Sequence, residues 1–290
     1  GAAGTGKSWI AYKMACINGI IKRRETLLLS KSKYLSQYFR NINNIKECKN
    51  LSILSFDELL NEIGEKDIDK INMDNSRKYG VIIVDEAQDF SPEEAVFVRT
   101  LLYDDSNSEF YIFYDDEQNI YGNNLDETLN NFLIDSKPYI LTENLRNTKN
   151  IYDWAKIRTS LGEISFSNQI DGPDPIMASV NTLNQAIRYI NQSVKNLIER
   201  DSVPKCFINI IIDDDLYDET VKHGFDFCVK SQIPSNNDDF IGVFKVSEYK
   251  GMESNIILYL HRECVEYSFK YVGLTRARFY LFDIEVKEEI

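Results

Sequence analysis

Val81-Ile82-Ile83-Val84-Asp85-Glu86-Ala87-Gln88-Asp89-Phe90 sets four apolar β-formers directly before two carboxylates. A short continuous apolar run of this kind reads as a strand buried on both faces, the environment of a parallel sheet covered by helices. Ligands of such sheets bind at the carboxyl edge of the strands. Adjacent carboxylates delivered to that edge need a counter-charge, and a divalent cation carrying a nucleotide supplies one. Asp85 then holds the metal, and Glu86 is placed to activate water. An acidic loop after a core strand is the alternative for the stretch taken alone.

The start of the chain decides between them. Gly1-Ala2-Ala3-Gly4-Thr5-Gly6-Lys7-Ser8 fits G-x-x-x-x-G-K-[ST] at every position. Glycines let backbone N–H groups turn inward round phosphate oxygens, Lys7 reaches the β and γ phosphates, and the Ser8 hydroxyl ligates magnesium. A helix beginning near Lys7 adds the positive end of its dipole. The two motifs in this order predict a nucleoside triphosphatase site. A chain that starts on the phosphate loop, without Met and without the strand that normally feeds it, reads as a fragment or processed product of a longer protein.

Between and beyond these motifs, strand and helix patterns alternate, the signature of a parallel α/β fold. Trp9 to Ile20 has helical spacing, Thr26 to Ser30 and Leu51 to Leu54 read as strands, and residues 32–40 and 56–63 as helices. Residues 64–78 are polar and irregular. Ser91-Pro92-Glu93-Glu94 is a capping box with proline at the first helical position, predicting a helix to about Leu102. Phe110 to Tyr114 is a further strand, delivering Asp115-Asp116-Glu117-Gln118 to the same sheet edge. From Tyr139 the pattern restarts: a short strand to Leu141, a helix from about Lys149, a turn at Gly172-Pro173-Asp174-Pro175 and an amphipathic helix over 182–199. Strands follow at 206–212, 241–246 and 256–260, then a helix over 265–275 and a last strand over 279–284. The boundary falls near residue 138, giving domains 1–138 and 139–290.

Composition narrows the class. The hydrophobic content of 43% suits packed cores, and no apolar run is long enough to span a bilayer. Five scattered cysteines without a C-x-x-C pair fit a reduced, cytoplasmic protein with no zinc site. The net charge of −13 disfavours strong nonspecific nucleic-acid binding unless a local groove is positive. The runs Asp213-Asp214-Asp215 and Asp238-Asp239 read as solvated loops.

Taken together, GAAGTGKS, VIIVDEAQDF, YDDEQNIYG, LTENLRN, VSEYKGME and YVGLTRAR resemble, in order, the motifs of superfamily 1 helicases of UvrD/Rep type. They are similar above all to compact helicase-like ATPases associated with nuclease-related domains. The resemblance spans both halves. It implies two RecA-like P-loop NTPase domains, parallel sheets flanked by helices, with ATP and magnesium in the cleft between them. Under it, Gln118 senses the γ-phosphate, and Arg146 and Arg276 reach the charge that develops during phosphoryl transfer. The phosphate-loop residues, Trp9, Gly251 and Glu253 belong to the nucleotide side. Ser30, Lys31, Tyr121 and Ser247 match strand-contacting positions, and Arg278 reads as surface.

Departures from the family pattern shape the expectation further. Leu145 stands where a tyrosine stacks on adenine; Trp9 either takes over that stacking or packs on its own helix. Ser247 replaces a common histidine, and no wedge aromatic follows Tyr121. The intervals Ser30 to Asp85 and Arg146 to Lys250 leave no room for large insertion domains. The leading expectation is an ATP-driven motor on single-stranded nucleic acid, DNA favoured over RNA. A regulatory switch controlling a fused or partner nuclease is the second reading, and an isolated segment without activity the third.

Overall fold

The computed structural model describes residues 3–42, 48–64, 68, 78–104, 106–132, 138–160, 165–166, 170–235 and 238–287. The expected irregular stretch 64–78 lies mostly outside them. The chain divides into two compact units, Gly1–Thr142 and Glu143–Ile290.

In the first unit the elements run α1 (Lys7–Cys16), β1 (Thr26–Ser30), α2 (Lys33–Asn41), β2 (Leu51–Ser55), α3 (Phe56–Ile63), β3 (Val81–Val84), α4 (Pro92–Thr100), β4 (Glu109–Ile112) and α5 (Leu125–Asn131). The four strands form one sheet in the order β2-β1-β3-β4, every pair parallel. Val81 to Val84 are all fully buried, each side chain contributing about 1.5–3 kcal/mol by leaving water. The strand is thus buried as expected. The capping box predicted at Ser91 forms, with Ser91 Oγ accepting from the Glu94 N–H and the Glu94 carboxylate accepting from the Ser91 N–H. Ser55 and Glu58 build a second one at the start of α3. The first helix is shorter than its spacing implied: after Cys16 it widens into a π turn over Ile17–Ile21. There Gly19 lies so close to β2 that a Cβ would stand 2.8 Å from that of Leu51.

The second unit holds β5 (Glu143–Asn144), α6 (Lys149–Thr159), β6 (Ser165–Phe166), β7 (Ile176–Val180), α7 (Leu183–Lys195), β8 (Ile208–Ile212), α8 (Asp214–His223), β9 (Val229–Lys230), β10 (Ile241–Lys245), β11 (Ser254–Arg262), α9 (Tyr267–Leu274) and β12 (Ala277–Val286). Its sheet runs β7-β12-β11-β8-β10-β9, again parallel at every pair. Among the described residues no helix is long and apolar enough to cross a membrane.

Two expectations are corrected here. Tyr139 to Leu141 form no strand; Tyr139 and Ile140 are exposed, so nothing rewards their extended pairing. Asp213-Asp214-Asp215 is not a solvated loop. Asp213 is buried, accepting from the Tyr259 hydroxyl at 2.8 Å and the Arg262 N–H at 3.1 Å, and burial pushes its carboxyl up to about 6. The next two aspartates open α8, where the helix dipole favours negative charge.

Candidate functional site

The phosphate loop is built by two left-handed glycines, Gly4 (φ 76°) and Gly6 (φ 84°). That conformation costs glycine almost nothing and strains any other residue. Gly6 caps α1, whose first turn carries neither an acidic residue nor a side-chain cap, and the positive end of such a helix favours an anion. Gly1 and Ala2 lie outside the described residues. Ala3 and Thr5, within the loop, are buried.

At the carboxyl edge of β3, Asp85 and Glu86 are both buried. Asp85 Oδ1 accepts the Glu86 N–H at 3.1 Å, whereas Oδ2 has no hydrogen-bond partner. Burial and the charge of Glu86 push the Asp85 carboxyl up to about 7, against the opposite pull of Ser8 and Lys7. Such a carboxylate lacks a cation. A magnesium ion fits there, since that ion is commonly held by one or two protein oxygens and the phosphates of its nucleotide, and Ser8 and Asp85 are the residues that would hold it. Glu86 itself sits at φ 54°, ψ 47°, a left-handed backbone that costs a non-glycine residue on the order of 1 kcal/mol.

The carboxylates join the loop after β4 through two residues not singled out in the sequence. Lys7 Nζ stands 3.1 Å from Asp115 Oδ2, and Gln118 Nε2 donates to the same oxygen at 2.5 Å. Gln88 Nε2 donates to Glu86 Oε2 at 2.6 Å, while Gln88 Oε1 accepts the Asp115 N–H at 2.9 Å. Asp115 and Gln88 are wholly buried. They lie inside quoted motifs, and their polarity at strand-end positions was the signal; their burial was not legible.

In the second unit Arg146 Nε donates to Glu253 Oε2 at 2.6 Å, and its Nη1 is buried without a partner. Arg278 is exposed, as read from the sequence, and its Nε approaches Glu253 Oε1 at 3.7 Å. Arg276 is buried, donating from Nε to Val272 O at 3.0 Å. Burial would raise Glu253, but Arg146 foremost, with Arg278 and Arg276, holds it below the usual carboxylate range. Asn147 fixes the arrangement: its side chain donates to Thr275 O at 3.0 Å and Ala277 O at 2.6 Å, on either side of Arg276. Gly251 adopts φ 80° in the turn before Glu253. Arg146, Glu253 and Arg276, remote in sequence, are thus brought together, as are Lys7, Ser8, Asp85, Glu86 and Gln118 in the first unit.

Residues 20–137 match the family model of the UvrD/REP helicase N-terminal domain. That similarity supports a UvrD-like superfamily 1 helicase domain, and with it ATP binding and ATP hydrolysis. No curated protein matches the chain. The UvrD/REP-like span takes in β3, Asp85, Glu86, Asp115 and Gln118; the phosphate loop and the arginine cluster lie outside it.

The positions read as strand-contacting are mostly engaged within the protein. Ser30 is buried and bonds Ser32 O at 3.2 Å and Ser36 Oγ at 3.1 Å. Lys31 pairs with Glu94 Oε1 at 2.6 Å and lies over the rings of Phe56 and Phe90. Ser247 donates to Asp214 through both hydroxyl and N–H. Tyr121 is exposed. Trp9 is partly exposed and meets Tyr12 and Phe39 edge-on, at centroid distances of 5.8 and 6.1 Å. Leu145 is exposed.

Proposed function

We propose that the protein is an ATP-dependent motor of helicase or translocase type acting on single-stranded nucleic acid, DNA rather than RNA. The observation that carries this reading is the buried network in which Lys7, Glu86 and Gln118 are linked through Asp115 and Gln88. It contains a phosphate-binding cation, a carboxylate able to take a proton and an amide able to orient water. Lys7 exchanges Asp115 for phosphate oxygens when the nucleotide arrives. Gln118 orients the attacking water and Glu86 accepts its proton. Arg146 and Arg276 answer the charge on the transferring phosphoryl group, a contribution worth about 10³–10⁵ in rate in nucleotide hydrolases. Ser8 and Asp85 would hold magnesium, which would supply positive charge against the phosphates. Gly251 and Glu253 hold Arg146 ready, and Trp9 offers an apolar face to the base. The test is ATP turnover with and without oligo(dT) and with an RNA of equal length. Stimulation by oligo(dT) is the expected result, and hydrolysis indifferent to both strands rejects the motor.

A second reading has its own support. Lys31, Ser30 and Ser247 are committed to internal bonds, and the net charge is −13, which suits a regulatory ATP switch controlling a fused or partner nuclease. Hydrolysis indifferent to strands but altered by such a nuclease selects this reading. The scattered cysteines, none of them in a disulfide, support a cytoplasmic setting.

A further inference from the structure

Gln88 is wholly buried two residues after the carboxylate pair, and its side-chain amide and backbone carbonyl bond different parts of the site. Its Nε2 holds Glu86 Oε2 at 2.6 Å. Its Oε1 holds the N–H of Asp115 at 2.9 Å, and Asp115 in turn holds Lys7 and Gln118. Its backbone carbonyl accepts from Asn123 Nδ2 at 3.3 Å, while Asn119 Nδ2 donates to Asn123 O at 2.7 Å, closing the loop that carries the exposed Tyr121. Glu86 has a left-handed backbone, so its carboxylate does not fall into place by local preference. A directional bond from a buried amide fixes it instead, and a buried amide whose donor and acceptor are both used is costly to replace.

We propose that Gln88 is a positioning residue for Glu86, aiming the proton-accepting carboxylate and tying its place to the loop at residues 119–123. The inference rests on the ATP-hydrolase reading and adds to it a residue that touches neither nucleotide nor metal. A base held in line by a fixed partner gains in turnover, not in substrate affinity.

The test compares Gln88→Met and Gln88→Glu in the full protein, with kcat and KM for magnesium ATP, nucleotide binding and thermal midpoint measured for each. Gln88→Met keeps the volume and loses both side-chain bonds. Gln88→Glu keeps the acceptor for the Asp115 N–H and replaces the fixed amide donor by a second buried carboxyl that shares a proton with Glu86. Expected for both is a kcat lowered about ten- to a hundredfold with KM within about twofold. If Gln88 served only to brace Asp115, Gln88→Glu would restore wild-type kcat, and that result overturns the proposal. Unchanged kcat in Gln88→Met overturns it as well. A wild-type protein that binds but never hydrolyses ATP strikes the hydrolase reading first, and the inference with it; an active wild type beside active variants strikes the inference alone.

Discussion

The two units carry opposite electrostatic deficits. In the first, Lys7 pairs with the buried Asp115 and acts on the buried Asp85, which stands beside the buried Glu86. In the second, Arg146 and the exposed Arg278 approach the carboxylate of Glu253, on which the charge of the buried Arg276 also acts. Buried charge of one sign favours a partner of the other, so the first cluster suits a cation and the second an anion.

The contrast is broken most severely by removing its cations. Lys7→Ala and Arg276→Ala are each expected to lower ATP turnover by about 10³ or more. They should differ in binding: loss of Lys7 weakens nucleotide affinity, whereas loss of Arg276 leaves it nearly intact. Equilibrium binding of a fluorescent ATP analogue beside steady-state hydrolysis separates the two, and equal loss of affinity in both would erase the proposed division of labour.

Glu253→Gln sharpens the other side. With the carboxylate gone, Arg146 and Arg278 lose their common partner and repel, costing about 2 kcal/mol, between the ranges for exposed and buried pairs. The thermal midpoint of the ligand-free protein should fall by several degrees, and added polyphosphate should recover part of it. No recovery would mean that the cluster is not an anion site.

Asp85 gives a smaller effect with a definite sign. Its carboxyl, ordinarily at 3.8, stands at about 7 in the fold, so the folded chain keeps a proton that the unfolded chain has released. The associated stability is complete below about pH 4 and is lost as pH rises through about 7. Nucleotide-free Asp85→Asn should therefore match or exceed the wild type in melting temperature at pH 8, with a flatter profile between pH 5 and 8. Magnesium ATP should stabilise the wild type and not the variant; a variant less stable than the wild type at pH 8 would show that no cation is missing there.

Trp9→Ala is expected to matter least. If the indole covers the base, affinity for ATP falls up to about tenfold, the worth of roughly 1 kcal/mol of aromatic contact, while affinity for inorganic triphosphate is unaffected. Equal losses for both ligands assign Trp9 to packing against Tyr12 and Phe39 alone.

Much of the scaffold was legible because its determinants are local. Four β-branched residues in a row have no other stable use than a buried strand, and Ser91 with Glu94 three residues on is a helix start whatever surrounds it. Elements that rest on partners were harder to read. Tyr139 to Leu141 has strand composition and no strand to pair with. The acidic run at Asp213 looks like surface until Tyr259 and Arg262 arrive from β11 to bond it. The phosphate-loop lysine, the paired carboxylates and the two arginines were each found by motif, whereas Gln88 and Asp115 gained meaning only from what they touch.

By itself the sequence determined that a glycine-rich loop opens the first helix, that Val81 to Val84 form a buried strand, and which residue types stand ready for phosphate and metal; these follow from sterics and hydrophobic burial within a few neighbouring residues. Only the tertiary structure decided that Lys7 and Gln118 share one oxygen of Asp115, that Gln88 braces Glu86, and that Arg278 joins Arg146 round Glu253. Such contacts link residues far apart in the chain, and their strength depends on exclusion from water, which no short stretch of sequence encodes.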